Sequence, residues 1–161
     1  MKILRKLKID KYIDYFKYLI VHKAYMMQMC FQNKLYLQGI THDLSKFLPD
    51  EFIPYANYYY AHKEIDIKRV WNKHKKRNKH HWQYWLLFSE SEGIEALEIP
   101  EKYLMEMIFD WYAAAFCEGY ENLDKRVLDW YTLYRRNILL NPKTRVRLER
   151  ELNYVGYSTK D

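Results

Sequence analysis

Turn-forming residues are scarce in this chain, which has only 4 glycines and 4 prolines in 161 residues. A many-stranded sheet needs a turn roughly every 8–12 residues, so this shortage excludes a β-sandwich and leaves long helices. Cysteine is also rare. Cys30 and Cys117 could form one disulfide, which nothing requires, and both fall inside apolar helical patterns, as small buried hydrophobes do in a reducing compartment. Neither has a neighbouring cue that would stabilise a thiolate. No run of about 18 apolar residues is present to span a membrane. The opening MKILRKLKID is basic but lacks the unbroken apolar stretch and small-residue cleavage site of a signal peptide. The expected address is the cytoplasm, with no membrane partner. Repeats, linkers and low-complexity segments are absent.

Hydrophobic residues make up 49% and charged residues 30% of the chain, a globular composition. The length fits one domain over residues 1–161 and can bury a core without disulfides. The fold expected is all-α, a single-domain bundle of about seven or eight helices. The net charge of +6 is local. Residues 67–81 hold Lys68, Arg69, Lys73, Lys75, Lys76, Arg77 and Lys79 with no acid, and the rest of the chain has 20 basic against 21 acidic residues. This segment reads either as a solvated helix end or as an edge that binds an anion.

The first long helix is expected from near Asp10 to about Asn33. Ile13, Phe16, Ile20, Ala24, Met27 and Phe31 follow helical spacing, and Tyr12, Tyr15, Leu19, His22, Met26 and Met29 form a second stripe beside them. Gly39 interrupts the pattern. A short helix carries Leu44 and Phe47, and Pro49 resets the chain before a helix through EFIPYANYYY, with Pro54 near its first turn. IDIKRVWNKH reads as a further helix, HHWQYWLLF as a short aromatic one, and residues 89–99 as a loop. Pro100 suits a helix start and Gly119 its stop. Tyr103, Met107, Asp110, Ala114 and Cys117 keep helical spacing between them. Residues 121–140 form a helix with Val127, Trp130, Tyr131 and Tyr134 toward the core. Asn141-Pro142 opens the last helix, which ends by Gly156. The high aromatic content, with 17 Tyr, is mostly core and rim at such spacing.

Polar residues on apolar faces need partners. His22 and Asp110 are two such residues, on different helices, and the adjacent pair His42-Asp43 stands between them in sequence. A divalent cation held by all four would explain their burial, and mixed nitrogen and oxygen ligation suits Mn, Fe, Co, Ni or Zn rather than Ca. The individual alternatives are a satisfied core histidine at His22, an ion pair of Asp110 with a buried arginine such as Arg135, and a helix cap at His42-Asp43. His74, His80 and His81 lie within eight residues, beside the basic cluster. His62 follows a tyrosine run and reads as structural.

The order His22, His42-Asp43, Asp110 resembles the H…HD…D signature of the HD-domain metal-dependent phosphohydrolases. HDLSK looks like the HDxxK version found in dinucleotide polyphosphate hydrolases and cyclic-dinucleotide phosphodiesterases of that superfamily, and the latter also insert H…HH, as His74 and His80-His81 do here. His74 and His80 are only six residues apart and no GYP signature follows, which is where the chain departs from the cyclic-dinucleotide enzymes. The chain is also similar, over most of its length, to an uncharacterised bacterial and phage family carrying HDLSKF, EFIPYA and HHWQYW. The resemblance implies that His22, His42, Asp43 and Asp110 hold one metal, with Asp43 bridging to a second. It further implies that His74, His80 and His81 ligate that second ion or contact substrate.

The resulting expectation is a phosphohydrolase acting on a nucleotide or other small phosphate ester, with one or two transition-metal ions. Asp43 and Lys46 would be its catalytic residues. Lys46, one turn after the pair, would also hold a phosphate oxygen, Arg69, Lys73 and Arg77 would anchor a further phosphate, and Trp82, Tyr84 or Trp85 could stack on a base. Two alternatives stand beside it. One is an HD-type di-iron oxygenase, since a branch of the superfamily uses H…HD…H…H…D to bind two irons. The other is a non-catalytic helical module that binds nucleic acid or protein through residues 67–81.

Overall fold

The computed structural model describes residues 2–154, with side chains described from residue 10 onward. Among these residues the chain is mainly helical: α1 (Lys2–Gln32), α2 (Tyr36–Thr41), α3 (Pro49–Ala61), α4 (Ile67–Arg77), α5 (Glu101–Cys117), α6 (Leu123–Tyr134) and α7 (Pro142–Glu151). The all-α class is as expected. No helix among the described residues is long and apolar enough to cross a membrane. Gly156, the expected end of the last helix, lies outside the described residues; α7 itself stops at Glu151.

Helix boundaries follow local chemistry. Pro49 opens α3, where a missing N–H costs nothing, and Asp50 and Glu51 in the first turn complement the helix dipole. The side chains of Asp66, Asn122 and Asn141 cap α4, α6 and α7 by accepting from the backbone N–H of Arg69, Lys125 and Lys143. Gly119, at φ +82°, lets the chain leave α5 through the left-handed region.

α1 is the spine. It packs against α2, α3 and α5 and buries Tyr15, Leu19, His22, Met26 and Cys30. The neighbouring stripe differs from the simplest reading of its spacing: Ile13, Phe16, Ile20 and Phe31 are exposed. A helix in a globular protein buries one face, and α3 and α5 both cover the same one. Tyr15 and Leu19 join Tyr55 and Ala56 of α3 in one apolar cluster, whereas Met26 and Cys30 join Leu104, Met107 and Ile108 of α5 in another. His22 stands on the spine between the two.

α2 lies close on α1. A Cβ at Gly39 would sit 3.0 Å from the Cys30 Cβ and 3.1 Å from the Phe31 ring. Gly39→Val therefore lowers stability by about 1–3 kcal/mol, the usual cost of forcing extra carbons into a filled contact, as read from the urea midpoint. An unchanged midpoint would mean that the helices part freely there.

Residues 82–99 depart from the sequence expectation. Trp82–Trp85 makes only one 3-10 turn, then β1 (Leu86–Ser89) pairs antiparallel with β2 (Gly93–Ala96), with Leu86 opposite Ala96 and Ser89 opposite Gly93. Gly93 at φ +79° supplies the turn geometry. The apolar run from Trp82 to Phe88 is too short to distinguish helix from strand by period, and GIEA offers the backbone a partner. The expected helix over 121–140 is also shorter, since α6 gives way to a 3-10 turn at Arg135–Asn137. Val127 and Tyr131 are buried, Trp130 is half-buried and Tyr134 is exposed.

Both cysteines are free. Cys30 is buried and Cys117 half-buried, and burial pushes their thiols up to about 12 and about 11. Neither is a thiolate nucleophile at neutral pH.

Candidate metal centre

The turn after α2 creates the site. Adjacent side chains ordinarily diverge, but Asp43 sits in the left-handed region at φ 53°, a conformation that Asp tolerates better than most residues and that concentrates at functional sites. Lys23 of α1 fixes this turn by donating to the carbonyls of Ile40 (2.6 Å) and His42 (2.7 Å). His42 and Asp43 consequently face one centre, with His42 Nε2 3.4 Å from Asp43 Oδ2.

Two groups of donors meet at Asp43. In the first, Asp110 Oδ1 lies 3.0 Å from His22 Nε2 and 3.4 Å from His42 Nε2, and the two imidazole nitrogens are 3.4 Å apart. In the second, Asp43 Oδ1 lies 3.3 Å from His74 Nε2 and 3.4 Å from His80 Nε2, with His81 completing the group. Donors around a tetrahedral cation at ~2.0–2.1 Å stand ~3.3–3.4 Å from one another, so both groups have the spacing of a ligand shell. His22, His42, Asp43, His74 and His80 are at most 3% exposed.

The inward atoms of the first group bond one another, through His22, His42 and Asp110, whereas those of the second group are left unused. Asp43 Oδ1 and the Nε2 atoms of His74, His80 and His81 are buried with no hydrogen-bond partner, and Asp43 Oδ2 has only the Lys46 ammonium beside it. Such orphans are rare and costly in native proteins. A pair of divalent cations fits the donor set, with Asp43 offering one oxygen to each group.

Behind the ligands stand two acids that sequence reasoning missed. Glu106 Oε1 accepts from Nδ1 of both His42 (3.0 Å) and His80 (3.2 Å). Glu51, fully buried, accepts from His74 Nδ1 (2.8 Å), Ser45 Oγ (3.0 Å) and Arg77 (2.8 Å). A carboxylate only accepts, so the Nδ1 proton is fixed and Nε2 is presented inward. The signal for Glu106 was present in LMEMIFDW, where it lies one turn before Asp110 in an apolar run. Glu51 lies in the first turn of α3, where an acid is commonplace. Glu106→Leu lowers metal affinity by about 10–100-fold, the usual cost of losing such a support, whereas Glu106→Gln keeps an acceptor and loses less. Competition with a chromophoric chelator measures both, and identical affinity in the leucine variant would show Glu106 to be idle.

Electrostatics keep the acids charged. Burial opposes ionisation of Asp43 and Asp110, yet His42 and Lys46 hold Asp43, and His22 and His42 hold Asp110, well below the usual carboxylate range. Burial likewise opposes charge on His42, but Asp43, Asp110 and Glu106 outweigh it and raise its pKa to about 9. Burial wins at His22 and His81, which are lowered. Lys46 Nζ contacts Asp43 Oδ2 at 2.5 Å and stays protonated.

All seven expected ligands (His22, His42, Asp43, His74, His80, His81 and Asp110) are thus brought together, with Lys46 beside them. Arg135 pairs with Glu149 rather than Asp110. The expected phosphate anchors have carboxylate partners of their own. Lys73 and Arg77 are held by Asp50, Arg77 also by Glu51, and Arg69 pairs with Asp66 in open solvent. Residues 69, 73 and 77 share one face of α4, and only its Lys73–Arg77 end reaches Asp50 and Glu51 of α3. His62 is the exposed left-handed C-cap of α3, away from the centre.

A family model described as a family of unknown function (DUF5662) matches residues 11–154. No curated protein and no solved structure matches the chain.

Proposed function

The chain belongs to the DUF5662 family, and we propose that it is a metal-dependent phosphohydrolase of the HD type acting on a small phosphate ester. One observation carries this reading. Unpartnered Nε2 atoms and both oxygens of Asp43 converge in a buried centre, while the outer nitrogens of His42, His74 and His80 are held by Glu106 and Glu51. The chain order His22, His42-Asp43, Asp110, with its resemblance to HD-domain enzymes, supports the same assignment. Cations of the Mn, Fe, Co, Ni or Zn type suit the donors and would supply activated water at neutral pH and Lewis-acid stabilisation of a phosphoryl group.

The protein's own residues set up that chemistry. Lys46 holds a positive charge beside Asp43 and Asp110, where it can stabilise an oxygen gaining negative charge. Glu106 and Glu51 hold the imidazoles in one orientation. The half-buried Asp110 lies where the centre meets an open cavity, so substrate approaches from that side.

The test is elemental analysis of the purified protein alongside hydrolysis of model phosphate mono- and diesters, each repeated on a His42→Ala, Asp43→Ala double variant. The variant should keep its helical circular dichroism and lose metal and hydrolysis together. Equal metal content in the two proteins would refute the centre. The three-histidine second group also suits a pair of irons that activate oxygen. An oxygen-dependent optical change in anaerobically iron-loaded protein, without ester hydrolysis, would select that reading instead.

A further inference from the structure

Beside the centre lies a cavity of about 670 Å³ bounded by α4, the Trp82–Trp85 turn, α5 and α6, within the range of small-molecule sites. It shares Asp110 and His81 with the metal centre. From Asp110 it follows α5 past Ala114 to Glu118, a run of nine residues or ~12 Å at helical rise. Alanines at 114 and 115 leave the space open.

The walls are unusual in chemistry. Trp71, Trp82, Trp111 and Trp130 all line the cavity, so four of the five tryptophans of the chain border one space. A tryptophan offers a broad, rigid face with little entropy to lose. Polar capacity is also left over: Gln83 Oε1 and Arg126 Nε are buried without a hydrogen-bond partner, and both residues line the cavity. Lys68 and Lys75 line it from α4, and neither has a carboxylate partner among the described residues. These two lysines, rather than Arg69, Lys73 and Arg77, are the face of the basic segment that meets the site.

We infer that this cavity is a nucleotide site, in which the base stacks on the tryptophans and the phosphate lies at the Asp110–His81 end. The assignment rests on the hydrolase reading for what happens to the phosphate, but the base subsite stands on the cavity itself. Flat aromatic walls favour a heterocycle over an alkyl chain. The unpaired Gln83 and Arg126 groups favour a ring with donors and acceptors on its edge, and the lysines favour an anion.

The experiment is stopped-flow tryptophan fluorescence of the protein as purified, recorded ahead of turnover. The probes are the adenosine, guanosine, cytidine and uridine 5′-monophosphates, with ribose 5-phosphate and octyl phosphate as controls. At least one nucleotide should quench saturably and bind about fivefold or more tighter than ribose 5-phosphate, the low end of what stacking one base contributes. Ala114→Phe should abolish that preference while metal content stays at the wild-type value. A Lys68→Ala, Lys75→Ala variant, altered only at exposed and half-buried surface, should weaken nucleotide binding whether or not the phenylalanine variant folds. Ribose 5-phosphate binding as tightly as every nucleotide, or octyl phosphate binding more tightly, would overturn the base subsite. Base-selective binding with no hydrolysis of any ester would instead overturn the hydrolase reading and leave the cavity assignment standing.

Discussion

An Asp43→Ala variant should lose both of the cations proposed for the centre at once, whereas His22→Ala and His74→Ala should each lose one. Asp43 is the residue common to the two donor groups, giving Oδ2 toward His42 and Oδ1 toward His74 and His80. His22 belongs only to the first group and His74 only to the second. Metal-to-protein ratios should therefore fall to near zero for Asp43→Ala and to half the wild-type value for the two histidine variants. Hydrolysis should drop by more than about a hundredfold in Asp43→Ala, beyond the ~10–100-fold typical of residues that only support a ligand. The fold should survive, because Asp43 lies in a turn rather than in either apolar cluster. If Asp43→Ala retained one full equivalent of metal, the shared-carboxylate arrangement would be wrong.

The second large effect concerns stability. Glu51→Ala should destabilise the protein by about 3 kcal/mol, near the lower end of the ~3–5 kcal/mol lost when one partner of a buried ion pair is removed. Glu51 is fully buried and is the common acceptor for His74, Ser45 and Arg77. Burial alone would raise its pKa, but His74, Arg77 and Ser45 reverse that and lower it, so the charged form is the one the fold holds. Arg77 keeps Asp50 in the variant, which moderates the loss. The neighbouring Asp50→Ala should cost clearly less, since exposed ion pairs contribute little. Urea unfolding of both variants decides the matter, and equal losses would remove the special role given to Glu51. The same variant should reduce metal in the second group and spare the first.

The ligands and their supports differ in how visible they were. His22 and Asp110 stood out because a polar residue on an apolar helical stripe demands a reason, and periodicity reveals the stripe. Glu106 obeyed the same rule on the same face as Asp110, yet its second role, accepting from two histidines far apart in sequence, has no local signature. The basic segment shows the opposite case. Its charge was plain, but which lysines meet the cavity depends on the rotation of α4 about its own axis. That rotation is set by burial of Val70, Trp71 and His74 against α3, and it turns Lys68 and Lys75 inward to the cavity and Lys73 and Arg77 toward Asp50.

Resemblance to HD-domain enzymes pointed to His74, His80 and His81; the sequence by itself determined the helical class, most helix ends and the polar residues His22 and Asp110 on apolar stripes. These depend on 3.6-residue periodicity, capping chemistry and the cost of burying polar groups, all of which act over a few neighbouring residues. Tertiary structure alone decided the hairpin at 86–96, the acids that orient the histidines and the tryptophan-walled cavity beside the centre. Each of those arises where segments distant in the chain meet, and no local pattern encodes which partner a surface will find.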